Sequence, residues 1–163
     1  MEELTYCRLP GRALCLEVSE DAVLRDPERA REALADVRRM GVAIALDNVG
    51  AGQSSISLPR NLPLDTIKLD RELIQSFDGD KDRRAVFAAA MALAHQAGLT
   101  AVAVGIETRR QLALARELDC SVGQGFLLHH PVPAESVRLR EVPGAITSAP
   151  WRPLVRLRGS RVH

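Results

Sequence analysis

The sequence predicts an α/β fold built on a parallel sheet, and two patterns lead there. Short, near-continuous apolar runs of strand length alternate with longer segments of helical period, as expected of strands buried on both faces. Polar residues then gather where those runs end: Glu17, Asp47, Lys68 with Asp70, and Glu107 and Gln124 nearby. In parallel α/β folds, barrel or open sheet, ligands bind at that edge. One acid or lysine at a strand end is usually a solvated turn residue. A succession of them at one edge marks a site.

The elements follow in order. "ALCLEV" (13–18) is a first strand. "DPERAREALADVRRMG" (26–41) is a helix, with Asp26 as N-cap, Pro27 at the first helical position, Ala30, Leu34 and Val37 as its apolar face, and Gly41 past its end. "VAIALD" (42–47) is a second strand. A loop with Gly50, Gly52, Ser54 and Ser55 leads to a third strand, "LDTIKLD" (64–70). A long helix fills about 80–97 and stops at Gly98, and "TAVAVG" (100–105) is the fourth strand. "TRRQLALARELD" (108–119) is a helix with Leu112, Ala115 and Leu118 inward. "SVGQGFLL" (121–128) is the fifth strand and "PAESVRL" a last short helix. The segment 138–163 carries six arginines and three prolines without a period, and reads as a loose basic tail.

Composition narrows the function. The chain has 163 residues, 46% hydrophobic and 26% charged, with a formal net charge of +1. That balance describes a globular domain and argues against a dedicated nucleic-acid or membrane surface. The most membrane-like run, 85–105, is interrupted by His95, Gln96, Gly98 and Thr100, so it reads as a buried helix followed by a strand. Cys7, Cys15 and Cys120 form no CxxC pair, and buried free thiols in a reducing cytoplasm are the expected reading. The N-terminus lacks a signal-peptide pattern, so the expected location is cytoplasmic.

Several chemistries drop out. A dinucleotide loop needs G-x-G-x-x-G, and Ser55 breaks it; no P-loop is present. Ser54, Ser55 and His95 lack the context of a nucleophilic triad. His129 and His130 are adjacent and would point to opposite faces of a strand. Carboxylate chemistry fits best. Glu17 and Asp47, at neighbouring strand ends, suit a hard divalent cation, and Lys68 can orient a water or neutralise a phosphate. That set matches metal-assisted phosphodiester hydrolysis.

The motifs "LCLEVSE", "IALDNVGAGQSSISLPRNLPLDTIKLD", "VAVGIET" and "GQGFLLHHPVP", in this order over about residues 6–137, resemble those of the EAL domain, the cyclic-di-GMP phosphodiesterase family. The resemblance implies a TIM-type (β/α) barrel that hydrolyses cyclic di-GMP to pGpG with Mg2+ or Mn2+. It implies that Glu17 and Asp47 are metal ligands. Glu20 would steady the loop after the next strand, and Lys68 would contact the catalytic water. Glu107 matches the second glutamate of "E-G-[VI]-E-T", and Gln124 the glutamine of "Q-G-[YF]".

The departures redirect the expectation. Asn48 stands at the family's second aspartate, which helps bridge two metals, and Val104 at the first glutamate of "E-G-[VI]-E-T". Val49 replaces a phenylalanine, a milder change. A full barrel takes roughly 250 residues. About five βα units are present here over residues 1–137, so the name-giving Glu-Ala-Leu strand and the asparagine-bearing strand after it are expected upstream of Met1. The chain therefore reads as a partial, degenerate EAL barrel. Three functions follow: an impaired domain that binds cyclic di-GMP or a protein partner, an active phosphodiesterase completed by another chain or an upstream segment, or a non-functional remnant. An open barrel edge also predicts self-association.

Overall fold

The computed structural model describes residues 6–51, 62–75, 81–120, 122–136 and 155–156. Five strands run parallel in sequence order: β1 (Cys15–Ser19), β2 (Ala43–Val49), β3 (Thr66–Leu69), β4 (Thr100–Val104) and β5 (Val122–Gln124). A two-residue strand, β6 (Val155–Arg156), lies antiparallel on the far side of β5. An open doubly wound sheet reverses its strand order at a switch point; consecutive order without reversal is barrel winding. The architecture is a partial (β/α) barrel.

The helices have readable starts. Helix α1 (Glu20–Arg25) is capped by Ser19, whose hydroxyl accepts from the Ala22 N–H, and opens with Glu20 and Asp21. Asp26 ends α1 and caps α2 (Pro27–Arg39), accepting the Arg29 N–H at 3.1 Å, with Pro27 in the first turn. Helices α3 (Arg71–Gln75) and α4 (Lys81–Gln96) follow β3. Helix α5 (Arg109–Glu117) starts on a Thr108–Gln111 capping box. Helices α1 and α3 are elements that the sequence pattern did not announce, since six and five residues are too few to show a period.

The core lies on one face of the sheet. Ile44, Leu46, Ile67, Leu69, Ala101 and Ala103 alternate outward along β2–β4 and pack against Leu34, Ile74, Phe87, Met91, Ala94 and Ala115 of the helices. The opposite face carries Glu17, Ala45 and Thr66 in register across three strands, then Lys68, Val102 and Val122 across the next. Ala45, Val102 and Val122 are buried yet stand apart from the core cluster. One face builds the fold; the other presents the site.

The expected fifth strand over 121–128 is corrected: β5 ends at Gln124. Gly125 approaches Ile106 so closely that a Cβ there would lie 2.2 Å from the Ile106 carbonyl oxygen and 2.3 Å from its nitrogen. The chain leaves the ladder at this contact, and the Leu128 and His129 N–H groups turn back onto the Gly125 carbonyl. The expected last helix is a 3-10 turn, Ala134–Ser136. Of the tail expected to be loose, Val155–Arg156 is strand, and the remainder from 137 lies outside the described residues, as does loop 52–61 with Gly52, Ser54 and Ser55.

The Gly125 contact makes a measurable expectation. Gly125→Ala should cost about 3 kcal/mol, the upper end for overpacking against an unyielding neighbour. Gly98→Ala, where φ is +69° but nothing lies within 4 Å, should cost only about 1 kcal/mol of left-handed strain. Denaturant midpoints check this; equal losses would remove the close approach as the reason β5 stops.

Candidate functional site

The site grows from strand register. Lys68 faces inward from β3, and its side chain is only 8% exposed. Its ammonium nitrogen lies 2.7 Å from Glu17 Oε2 on β1 and 3.4 Å from Asp47 Oδ1 on β2. An ammonium this deep needs counter-charge and hydrogen-bond acceptors, and the two neighbouring strands supply both. Three residues placed at strand ends by sequence thus meet in one cluster.

A bulge shapes the middle of it. Leu46 pairs with Ile67 and Val49 with Leu69, so Asp47 and Asn48 together face Lys68 alone. Asn48 takes φ +60°, a left-handed conformation that Asn and Asp tolerate better than other side chains. The bulge breaks the alternation, and Asp47 turns to Lys68 while Asn48 is exposed. The chain then bends through Gly50, at φ +86°. Its N–H donates to Glu20 Oε2 at 3.2 Å, so the first residue of α1 ties down the loop after β2.

The remaining candidates stand further along the same edge. Val104 ends β4, half-buried, and pairs in register with Gln124. Gln124 is exposed, and its carbonyl accepts the Gly105 and Ile106 N–H groups at 2.8 and 3.1 Å. Glu107 is exposed, its N–H held by Gln111 Oε1. Among the described residues no ion pair joins Glu107 to the Lys68 cluster, and no three or more His, Cys, Asp or Glu side chains gather as a metal site would.

Three features escaped sequence reading. Cys15 sits two residues before Glu17 on the same face; burial first, then the Glu17 and Asp65 carboxylates, push its thiol up to about 11 against a Lys68 contribution that lowers it. Only i, i+2 spacing hinted at this. Asp65, at the foot of β3, accepts the Ile44 N–H at 2.9 Å and pairs with Arg38 at 2.7 Å, locking α2 to the sheet. The His130 ring stacks on Phe126 with centroids 4.7 Å apart, in the turn that replaces the expected strand end.

Comparisons place this geometry among known proteins. The sequence model of the EAL domain family matches residues 1–131. The bifunctional diguanylate cyclase/cyclic di-GMP phosphodiesterase MucR of Pseudomonas aeruginosa is 38% identical over 124 residues, 76% of this chain and 18% of that protein. The solved PaMucR phosphodiesterase in complex with c-di-GMP superposes with a TM-score of 0.77 at 36% identity, over 82% of this chain and 54% of that one. The Klebsiella pneumoniae BlrP1 manganese/cy-diGMP complex superposes at 0.72 and 29% identity, over 77% of this chain and 32% of that one. The chain spans about a fifth of the length of the first curated relatives it matches. A literal Glu32-Ala33-Leu34 also occurs, but it lies within helix α2, with Leu34 in the core, rather than at a strand end.

The raised Cys15 thiol is open to test. Because the protonated form persists to about pH 11, iodoacetamide should label Cys15 slowly at neutral pH, with a rate that climbs until about that value. Glu17→Gln should move the midpoint down by removing one carboxylate, yet leave it above 9.0 because burial is the larger cause. Peptide mass spectrometry against pH reads both. A midpoint at 9.0 in the unsubstituted chain would remove the burial argument.

Proposed function

This chain belongs to the EAL domain family, and on that premise we propose that it is a catalytically impaired cyclic-di-GMP phosphodiesterase-like domain with a ligand- or partner-binding role in cyclic-di-GMP signalling. The observation that supports this most is the pair of neutral residues at the site edge. Asn48 occupies the bulge and Val104 ends β4 where the family's motifs set acids. An amide offers one neutral oxygen and a valine none, so neither can bridge or charge-compensate two cations. Losses in a catalytic set act as a unit, and two together remove most of the rate.

The 163-residue chain should show no cyclic-di-GMP hydrolysis with Mg2+ or Mn2+; pGpG formation would overturn the impaired reading. Asn48→Asp with Val104→Glu should not restore turnover by itself, because the family's ligand set also draws on its name-giving strand. Calorimetry with cyclic di-GMP then separates a sensor, which binds, from a domain that answers to a protein partner. A second reading, an active phosphodiesterase completed by another chain or segment, draws on the convergence of Glu17, Asp47 and Lys68. Hydrolysis appearing only on addition of such a segment would favour it.

Self-association is part of the same proposal. β6 lies against β5, while β1 is bonded on one side only among the described residues. Leu14 and Leu16 are exposed on that edge, and Leu24 on the helix beside it. Unpaired strand backbone with apolar side chains recruits another copy. Light scattering should show mass rising with concentration, and Leu14→Lys with Leu16→Lys should return it to monomer. A monomeric parent chain would count against association.

A further inference from the structure

We infer that the Lys68 ammonium is the resident cation of this acidic cluster, and that the cluster as this chain builds it takes no divalent metal. A hard dication gathers six or more oxygens at about 2.0–2.6 Å. To serve both Glu17 and Asp47 it would have to sit between them. That space holds the Lys68 ammonium, 2.7 Å from one acid and 3.4 Å from the other. The lysine is 8% exposed on its side chain, against 35% and 28% for the two acids. Expelling its ammonium would strip a nearly buried charge of both partners, whereas the acids already have theirs.

The other donors do not change the outcome. Asn48 is exposed on its bulge and brings one neutral carbonyl. Val104 brings nothing. Among the described residues no third acid, histidine or cysteine completes a metal-binding group. The residues present do not fit the paired Mg2+ or Mn2+ that the family implies. The inference rests on the impaired reading above and deepens it by naming which cation the site holds.

The test is Mn2+ binding to the full 163-residue chain, read by electron paramagnetic resonance of free Mn2+ and by thermal midpoints. The unsubstituted chain should show no saturable uptake and no Mn2+-dependent rise in midpoint. Lys68→Met should show the saturable Mn2+ uptake that the parent lacks, since a cation 2.7 and 3.4 Å from the acids has been removed. It should also gain a midpoint rise that the parent lacks. Lys68→Arg keeps the charge and should resemble the parent. Should Lys68→Met not fold, Lys68→Gln, which donates to the acids without charge, carries the same expectation. Saturable Mn2+ binding by the unsubstituted chain overturns the inference, and so does a folded neutral variant that gains none. A parallel cyclic-di-GMP assay keeps the two proposals apart: Mn2+ binding without turnover removes the resident cation alone, and turnover removes the reading beneath it.

Discussion

The contact of the Lys68 ammonium with Glu17 and Asp47 ties three strands together on the face of the sheet opposite the core. Each partner comes from a different strand, so the contact exists only when β1, β2 and β3 hold their registers. A one-residue slip of β3 would send Lys68 into the apolar layer that Ile67 and Leu69 now fill. Losing a partner of a buried charge costs about 3–5 kcal/mol, less what half-exposed carboxylates recover from water. The cluster therefore enforces register as well as presenting charge. Asp65 does the same at the other end of the strands, where its two oxygens hold Ile44 N–H and Arg38.

The bulge reconciles two demands on β2. Its first four residues alternate strictly, with Ile44 and Leu46 in the core and Ala43 and Ala45 on the inner face. Without an extra residue, Asp47 and Val49 would share one face, and Val49 could not join the core. The bulge lets Asp47 meet Lys68 while Val49 is buried with Leu69. The residue that takes up the difference must accept φ near +60°, and asparagine or aspartate does so at least strain. Position 48 is thus restricted by backbone geometry as well as by chemistry, and an Asp-to-Asn exchange there keeps the shape while removing the charge.

Most of the fold was legible because its signals are local. Pro27 after Asp26, the apolar stripe of Leu112, Ala115 and Leu118, and the apolar runs of β2 and β4 each fix an element within a few residues. The gathering of Glu17, Asp47 and Lys68 was legible because parallel strands bring their C-terminal ends to one edge. What was not legible depends on contacts distant in sequence. β5 ends at Gln124 because Gly125 meets Ile106, nineteen residues earlier in the chain, and "QGFLL" carries no mark of that meeting. The bulge is equally silent, since "LDNVG" reads as a strand running into a turn. That Lys68 would bond to the acids rather than await a ligand needs the registers of three strands at once.

Charge balance at this edge depends on what stands at positions 48 and 104. Lys68 against Glu17 and Asp47 leaves one net negative charge at the inner edge. Acids at positions 48 and 104 would raise that to three, more than one ammonium balances, and a dication would relieve the repulsion. With Asn48 and Val104 in place, the repulsion that would call for metal is gone. The shape of the site persists without it: the bulge, the Glu20–Gly50 tie and the inner-face register require no ion. An edge of this charge therefore holds its shape without an ion to balance it.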